Sequence, residues 1–407
     1  MKDIHTQCVI AGGGPAGIML AYLLARSNID VVVLEKWPDF FRDFRGDTIH
    51  PSTMEILYEL GLLEEFLKLP HNETRQMAGH ISGNEIIIAD FSRLHVHCPY
   101  IAFIPQWDFL NFMAEQGKIF PKFNLLMETE VTDIIWQGEK SIGLKVKDKK
   151  EEFQIMADVV IGADGRHSTI REKANLKVKD LNVPIDVLWF RLPRIDDGTK
   201  QSFGYVDTGQ MMVLLDRDDY WQCAYVIQKG DFNKIKVNGL DIFRKNILKL
   251  VPFLSSGIDE LKNWEQVKFL SVAVDRLEIW YKEGLLCVGD SAHAMSPIGG
   301  VGINLAIQDA VATANILIPV FAKRVPTIVD FKRIQKRREY QTKRTQGLQV
   351  FLHTHAIEPI LKSTNKLKLP FVFQLLNIFP ILRGIPARII GIGFRPEHVR
   401  TVENHAN

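Results

Sequence analysis

Residues 6–36, TQCVIAGGGPAGIMLAYLLARSNIDVVVLEK, decide the fold of this chain. The apolar run at 6–11 is typical of a buried strand, the glycine-rich turn GGGPAG follows, and an apolar helical pattern leads into a second apolar strand at 30–36. A strand, a tight turn, a helix and another strand in this order predict a β-α-β unit, with which a doubly wound parallel sheet begins. We therefore expect an α/β fold.

The turn of this unit has the spacing GxGxxG. Gly12, Gly14 and Gly17 occupy the three glycine positions, and Pro15 and Ala16 lie between the last two. In such a turn the first glycine permits the tight bend, the second lets the backbone approach a pyrophosphate, and the third lets the helix pack closely on the strand. The N–H groups at the start of the helix attract phosphate oxygens. These residues predict a dinucleotide site, and the alternative is an ordinary glycine loop of an α/β protein.

The second strand ends at Glu35, 18 residues after Gly17. A carboxylate at this point accepts hydrogen bonds from the hydroxyl groups of an adenosine ribose, and it repels a 2′-phosphate. The expected ligand is therefore FAD or NAD rather than NADP. The fingerprint alone does not separate FAD from NAD.

Two later segments also place a polar turn between a strand and a helix. In ADVVIGADGRHSTIREKA, residues 157–174, an apolar strand ends at Asp164, and Ser168 either belongs to the site or only caps the next helix. In GDSAHAMSPIGGVGIN, residues 289–304, Asp290 follows a strand, and a glycine-rich loop leads into an apolar helix.

Together the three motifs resemble those of the para-hydroxybenzoate hydroxylase family of single-component FAD-dependent monooxygenases, over about residues 5–320. The resemblance implies tightly bound FAD, NADH or NADPH as a transient co-substrate, and O₂ that forms a C4a-hydroperoxide on the flavin. It implies a hydroxylase that oxygenates an aromatic or other apolar, electron-rich small molecule. Two alternatives share the motifs, namely an FAD-dependent reductase or dehydrogenase and a non-catalytic FAD-binding protein.

The resemblance also assigns residues to the cofactor site. Asp290 would hydrogen-bond a ribityl hydroxyl of FAD, and the N–H groups of Ile303 and Asn304 would point at the part of the flavin that becomes negative on reduction. Asp164, in the second motif, belongs to the same expected site. The loop before the helix would lie against the flavin ring, and its expected contact residues are Pro297, Gly300, Val301 and Gly302. A helix cap with a flexible loop is the alternative for this stretch.

Four further positions follow the family pattern. Arg45 corresponds to an arginine that reaches the FAD phosphates, Gln106 to a position at the ribityl-phosphate part, and Val131 to a position whose backbone faces the adenine. Lys36 would lie beside the adenosine, although a solvated surface charge explains this lysine equally well.

Two histidines are candidates for acid-base catalysis. His50 lies in the segment expected beside the flavin, but we favour a structural role for it, and we expect His293 to pack or to cap. Beyond His50, the catalytic residues stay unassigned. His95 and His97 lie on one strand face without a third ligand, so we expect no metal site.

The composition narrows the class of protein. The chain has 407 residues and a net charge of +2, which gives no reason to expect a nucleic-acid partner. Its four cysteines are isolated, so we expect no disulfide framework, and a reducing cytoplasm fits. No secretion signal is visible at the N-terminus, and no apolar run looks long enough to span a bilayer.

The pattern of elements predicts three parts. We expect a Rossmann-like FAD-binding domain with a doubly wound parallel sheet, an inserted substrate domain with an antiparallel sheet, and a helical C-terminal region. The FAD-binding domain is assigned to 1–75, 100–178 and 268–345, the substrate domain to 76–99 and 179–267, and the C-terminal region to 346–407. An apolar pocket wall or plain core is predicted for Met211, Met212, Val213, Leu214, Trp221 and Tyr225.

The stretch 367–400 is strongly apolar, with prolines and arginines among the apolar residues. Two interpretations are open. The helices pack over the substrate pocket and close the fold, which we favour because apolar residues at helical spacing usually face a core. Alternatively, they form an amphipathic pair that lies on a membrane.

Overall fold

The computed structural model describes residues 3–41, 47–195, 204–217, 219–367 and 370–401. Arg45 lies outside the described residues, so its expected contact with the FAD phosphates stays a prediction.

Within these ranges an eight-stranded sheet carries the parallel strands that the opening motif predicts. Its strands are β1 (Asp3–Ala11), β2 (Val31–Leu34), β8 (Phe123–Leu126), β9 (Glu130–Gln137), β10 (Lys140–Lys147), β11 (Glu152–Gly162), β19 (Tyr281–Lys282) and β20 (Leu285–Cys287). Parallel strands follow the order β20-β11-β1-β2-β8, β19 flanks β20 in the antiparallel direction, and the antiparallel pair β9–β10 joins the first half of β11. Every residue of β2 is buried, as expected for a parallel strand covered on both faces.

A second sheet, with seven strands in the described part of the chain, is antiparallel except for one pair. Its strands are β5 (Gln76–Ile81), β6 (Asn84–Asp90), β13 (Ile185–Pro193), β14 (Gly204–Asp207), β15 (Gln210–Asp216), β16 (Tyr220–Gln228) and β17 (Lys268–Ser271). The order is β17-β13-β16-β15-β14-β5-β6, in which β14 and β5 run parallel. These strands come from two segments inserted between parts of the first sheet, which confirms the predicted architecture. The boundary at 268 stays a prediction, and β17 pairs with the antiparallel sheet.

The described residues also form two three-stranded sheets. One has the order β3-β7-β4 and the other the order β12-β18-β21. Their strands are β3 (Thr48–Ile49), β4 (Asn72–Thr74), β7 (Ile101–Phe103), β12 (Val178–Asp180), β18 (Asp275–Leu277) and β21 (His293–Ala294).

The described ranges contain twelve α-helices. They are α1 (Pro15–Arg26), α2 (Pro51–Glu59), α3 (Leu63–Phe66), α4 (Gln106–Lys118), α5 (Thr169–Lys173), α6 (Phe232–Asn238), α7 (Leu240–Leu250), α8 (Gly302–Phe321), α9 (Ile328–Leu352), α10 (Glu358–Lys362), α11 (Phe371–Ile378) and α12 (Gly384–Gly391). A π-helical turn, His353–Ile357, links α9 to α10, and short 3₁₀ turns include Phe91–Arg93, Gly289–Ser291, Ile298–Gly300 and Pro380–Arg383.

The segment 53–69 has the periodicity of one amphipathic helix, but the structure divides it. Helix α2 ends at Glu59, and α3 begins at Leu63. Gly61 lies between them with φ +72°, in the left-handed region where an α-helix cannot continue.

The described residues form four hydrophobic clusters. The largest one joins β1, β2 and β11 to α1 and α8, which pack against each other. Residues 298–321 are long and apolar enough to cross a membrane by length and composition, so the expectation that no such run exists is wrong. However, 78% of the most apolar window of this stretch is buried inside the protein, which is typical of a core helix.

The C-terminal helices pack on the antiparallel sheet. Helices α11 and α12 contact β6, and α12 also contacts the turn Phe91–Arg93. Gly391 permits this approach because a Cβ there would lie 3.1 Å from Leu94 and 3.3 Å from both Phe91 and Pro51. One side of this region therefore packs on the protein.

Candidate functional site

The three motifs meet at one edge of the parallel sheet. Strands β1, β11 and β20 are parallel neighbours, so their carboxyl ends lie side by side. The backbone N–H of Ala163 donates to the carbonyl of Ala11 at 2.7 Å, and the N–H of Val288 donates to Gly162 at 2.9 Å. The Ser291 hydroxyl also donates to Gly162, at 2.6 Å. Segments far apart in sequence thus form a single site.

The glycines of the first turn have different surroundings. Gly12 has φ +103°, and a Cβ there would lie 2.4 Å from the carbonyl oxygen of Ala163. A Cβ at Gly17 would lie 2.0 Å from the carbonyl oxygen of Gly12, whereas no atom lies within 4 Å of the Cβ position of Gly14. The protein's own packing therefore requires the first and third glycines. The open side of Gly14 is the space that a pyrophosphate needs.

Helix α1 begins immediately beside this space. Pro15 is its first residue, where the missing N–H costs nothing, and the buried Ala16 follows. The N–H groups in the first turn of a helix have no partner within the helix and carry a partial positive charge. The turn and the helix terminus therefore fit a diphosphate.

Glu35 lies next to the same turn. One carboxylate oxygen accepts from the N–H of Gly13 at 3.1 Å, and the other accepts from the N–H of Trp37 at 3.2 Å. The carbonyl of Glu35 accepts from the N–H of Thr129 at 2.9 Å, which brings the start of β9 and Val131 to this part of the site. These contacts fix the carboxylate where a ribose is expected.

Two other predicted residues flank the site. The Lys36 side chain is exposed and its ammonium group lies 5.3 Å from the ring centre of Trp37. Gln106 is the first residue of α4, and its N–H donates to the carboxylate of Asp47. The expected contacts of both side chains with FAD stay predictions.

The second motif is organised by Asp164. Its carboxylate accepts from the Ser168 hydroxyl at 2.5 Å and from the N–H of Ile170 at 3.0 Å. Burial raises the pKa of Asp164 above its ordinary value, although these donors act in the opposite direction. The Ser168 oxygen accepts from the N–H of Arg171, so Ser168 is the N-cap of α5, as the simpler interpretation predicts.

Asp290 faces the second motif. Its carboxylate lies 3.7 Å from the guanidinium of Arg166, and both side chains are partly exposed. Gly289, with φ +62°, precedes it and donates its N–H to the carboxylate of Asp309 at 3.0 Å. The backbone that carries Asp290 is therefore held from inside the protein, while its side chain stays accessible to a ligand.

The loop from Pro297 to Gly302 leads into α8. Gly299 and Gly300 have φ of +79° and +62°, so this backbone favours glycine whatever lies against it. A Cβ at Gly300 would lie 2.3 Å from the Thr48 hydroxyl, which donates to the carbonyl of Gly300 at 2.9 Å. Gly300 therefore has a structural reason that the sequence did not reveal. Val301 and Ile303 are buried on either side of Gly302, the first residue of α8.

Asn304 joins this loop to the segment before α2. Its side-chain oxygen accepts from the N–H of His50 at 2.9 Å and from the Thr53 hydroxyl at 2.7 Å. Its side-chain nitrogen donates to the carbonyls of Thr48 and Gly300 at 3.1 and 3.3 Å. The sequence predicts a backbone role for Asn304, and the structure adds a side-chain role that no local pattern indicates.

His50, whose N–H donates to Asn304, is fully buried. Its Nδ1–H donates to the carbonyl of Ile390 in α12 at 2.8 Å, and Nε2 has no partner among the described residues. Burial lowers the pKa of His50 to about 4. The imidazole is therefore neutral at physiological pH, with a free lone pair on Nε2.

The sequence did not predict a buried network of hydrogen bonds and ion pairs behind the third motif. His293 Nε2 and Arg338 Nε each lie 2.6 Å from the Asp309 carboxylate, and Arg338 also contacts Glu397 at 3.2 Å. Burial raises the pKa of Asp309, but His293 and Arg338 together hold it below its ordinary value. His293 is thus a buried residue that hydrogen-bonds Asp309, whereas packing or capping was expected of it.

A second missed pair connects the end of β15 to the residue just before β3. Arg217, beside the turn between β15 and β16, forms a buried ion pair with Asp47 and donates to Gln222 at 3.3 Å. Burial raises the pKa of Asp47, although Arg217 acts in the opposite direction. The partners lie 170 residues apart, so no motif in the sequence announces them.

Each face of the antiparallel sheet packs in a hydrophobic core cluster, and the third motif contacts one of them. The residues of the proposed pocket wall that pack against α7 are Met212, Leu214, Trp221 and Tyr225. Met211 and Val213 lie on the other face, in a cluster with Trp189, Ile298 of the third motif and Val350 of α9. Four of the six residues therefore belong to the core beneath α7, and the other two pack on a second core cluster that Ile298 of the third motif also contacts.

Across the described ranges, no group of three or more His, Cys, Asp or Glu side chains is arranged to hold a metal ion. The four cysteines are all free and buried.

Comparison with known proteins agrees with the geometry. The family model for an FAD binding domain matches residues 5–341. The 6-methylpretetramide 4-monooxygenase of Streptomyces rimosus is 30% identical over 348 residues, which cover 85% of this chain and 83% of that protein. The uncharacterized aromatic compound monooxygenase YhjG of Bacillus subtilis is 26% identical over 311 residues, which cover 75% of this chain but only 60% of that protein.

Among solved structures, PqsL, a probable FAD-dependent monooxygenase from Pseudomonas aeruginosa, matches with a TM-score of 0.74 and 20% identity. The match covers 88% of this chain and 97% of that chain. At this identity the likeness shows a shared fold.

Proposed function

The chain belongs to the FAD binding domain family and is an FAD-dependent monooxygenase, and we propose that its substrate is an apolar molecule with an electron-rich aromatic ring. The observation that carries the cofactor assignment is the meeting of the three motif loops at the carboxyl edge of β1, β11 and β20, and the relatives carry the substrate class. Ligands of open α/β sheets bind at this edge.

The residues at this edge fit FAD. The open side of Gly14 and the start of α1 suit the diphosphate, the Glu35 carboxylate suits the ribose, and Asp290 suits the ribityl hydroxyls. Bound FAD would supply the redox chemistry here, namely acceptance of a hydride from NADH or NADPH and activation of O₂ for the insertion of one oxygen atom into the substrate.

The chain's own residues position and shield this chemistry. The N-terminus of α8 directs its partial positive charge to the loop 297–302, where it would stabilise negative charge on a bound flavin. The apolar face with Met211 and Val213, next to Ile298, would keep water from this side of a bound flavin. An apolar aromatic substrate suits such a wall. The relatives named 6-methylpretetramide 4-monooxygenase and aromatic compound monooxygenase support the same class.

A test of the cofactor assignment is Asp290→Ala. Loss of the ribityl hydrogen bond leaves ligand hydroxyls unpaired, so FAD affinity should fall about ten- to a hundredfold. The flavin-to-protein absorbance ratio after gel filtration measures this loss, and the exposed Asp259→Ala on the substrate-domain side is the matched control. Full flavin retention in Asp290→Ala would remove Asp290 from the site.

A test of the substrate class is a screen of phenols and larger aromatic compounds for faster oxidation of NADH or NADPH. A true substrate should give a product that carries one atom from isotopically labelled O₂, detected by mass spectrometry. Faster oxidation with hydrogen peroxide as the only oxygen product identifies a compound that binds without being hydroxylated. Reduction of a compound without labelled oxygen would favour the reductase alternative.

We also propose the cytoplasm as the compartment. Free, buried thiols at Cys8, Cys98, Cys223 and Cys287 support a reducing environment.

A further inference from the structure

The C-terminal helices leave an apolar surface uncovered on the side away from β6. Leu376, Ala387 and Ile392 are buried on the packed side. The exposed side chains are Phe371 (69%), Ile378 (65%), Phe379 (52%), Ile381 (74%) and Ile385 (59%). Single exposed apolar residues are ordinary, but five large ones within fifteen residues mark a surface that contacts something else.

The charge of this region is one-sided. Residues 359–396 contain six basic residues and no Asp or Glu, although the whole chain has 50 basic and 48 acidic residues. The six are Lys362, Lys366, Lys368, Arg383, Arg388 and Arg395. In the described part of the chain, the exposed side chains of Arg388 and Arg395 have no ion-pair or hydrogen-bond partner. This stretch is mainly apolar, and its charged residues are all basic. It is therefore complementary to an apolar layer with negative charge at its surface.

A groove lies beside these helices. It has a volume of about 620 Å³, and Arg93, His95, Ile381 and Arg388 are among the residues that line it. The two carboxylates that line it already have partners. Glu55 contacts His97, and Glu397 contacts Arg337 and Arg338. The groove therefore presents free positive charge next to exposed apolar side chains.

We propose that the surface formed by residues 371–395 lies on an anionic lipid bilayer, with its apolar side chains at the headgroup boundary and its arginines at lipid phosphates. A second copy of this chain is a poorer occupant, since two such surfaces would bring like charges together. Helix α8 is not the membrane element, because it is buried in the core. The inference does not depend on the identity of the substrate.

The test is sedimentation of the FAD-loaded protein with vesicles of phosphatidylcholine alone and of phosphatidylcholine with phosphatidylserine. Binding should require phosphatidylserine and weaken at high salt. Arg388→Glu should reduce the partition coefficient about thirtyfold, because it removes one positive charge from the surface and adds one negative charge. The double variant Ile381→Ser/Ile385→Ser should also bind more weakly.

Val237→Ser is the matched control, because Val237 is 86% exposed on α6, outside the C-terminal region, and its replacement should leave binding unchanged. The flavin absorbance ratio shows that each variant is folded. Sedimentation no greater than in a lipid-free sample would overturn the proposal. So would a wild-type dimer in light scattering that Ile381→Ser/Ile385→Ser converts to a monomer, since the surface would then join two copies of the chain.

Discussion

Gly14 and Gly17 lie three residues apart, and a side chain would meet different surroundings at each. At Gly17 a Cβ would be forced against the carbonyl oxygen of Gly12, whereas at Gly14 it would enter open space. Gly14 has φ −74° and ψ −177°, an extended conformation that any residue can adopt. A substitution at Gly17 thus disturbs the fold, and one at Gly14 disturbs only what binds there.

Gly14→Val and Gly17→Ala separate these two roles. We expect Gly14→Val to lose FAD while the free energy of unfolding of the FAD-free protein changes by less than about 1 kcal/mol. Gly17→Ala should lower that free energy by about 1–3 kcal/mol, because the turn must shift. Urea unfolding of the FAD-free proteins and flavin absorbance measure the two effects. A yellow, fully loaded Gly14→Val protein would show that the turn does not bind FAD.

The buried imidazole of His50 makes the fold sensitive to acid. Its pKa is about 4 in the folded chain, against an ordinary value of 6.5. Between these two pH values the unfolded chain binds a proton on this residue and the folded chain does not. The contribution of neutral His50 to stability is therefore complete above pH 6.5 and is lost as the pH falls towards 4.

His50→Asn should reduce this acid sensitivity, since the amide nitrogen of Asn can still donate to the carbonyl of Ile390. From pH 7 to pH 4 we expect the variant to lose about 2–3 kcal/mol less unfolding free energy than the wild type. His353, whose pKa burial also lowers to about 4, remains in both proteins and cancels in the comparison. Equal losses in urea unfolding at the two pH values would mean that His50 is not the responsible group.

Within the strand β15, neighbouring residues face opposite sides of the sheet. Met211 lies on the face with Ile298, and Met212 is fully buried against the α7 side. The period of two residues, rather than chemical type, decides which methionine lies on the side of the third motif.

Met211→Ala and Met212→Ala form a matched pair. Met211→Ala should raise the KM for the aromatic substrate several-fold and leave the thermal midpoint almost unchanged. Met212→Ala should cost about 2–5 kcal/mol of stability, because it opens a cavity in the core. Substrate-dependent oxidation of NADH or NADPH and thermal unfolding measure the two effects. The assignment of faces would be wrong if Met211→Ala were the more destabilising change.

The sheet and the three loops were predictable from the sequence because each is encoded locally, by apolar runs and by glycines at fixed spacing. Contacts such as that of His50 with Ile390, 340 residues away, depend on how finished elements pack, and no spacing encodes them. For the same reason the pair Asp47–Arg217 and the side-chain role of Asn304 escaped prediction. The alternation of side chains along β15 could be predicted from the sequence. The face of the sheet that α7 covers could not.

At the scale of the whole molecule, the C-terminal segment is tied to the third motif. Glu397 contacts Arg338, Arg338 contacts Asp309, and Asp309 holds the N–H of Gly289 beside Asp290. Arg338 is fully buried, so its charge needs both carboxylates. A substitution at residue 397 should therefore lower the free energy of unfolding of the whole protein.

Glu397→Ala should lower the unfolding free energy by about 3–5 kcal/mol, because it leaves a buried arginine without one of its partners. The control is Glu59→Ala, which removes partly exposed contacts with His398 and with the N–H of Val399 and should cost only about 1 kcal/mol. Urea unfolding of both variants tests the difference. Similar losses would show that the buried charges contribute no more than a surface pair.

Residues near position 400 also complete the part of the fold that is synthesised first. Arg26 donates to the carbonyl of Thr401, 375 residues later, and Glu59 accepts from the N–H of Val399, 340 residues later. At about 5–20 residues per second, translation separates the first pair by roughly 20–75 seconds. For that interval α1 and α2 emerge without their final partners, so the nascent chain must pass a long stage in which chaperones and proteases can reach it.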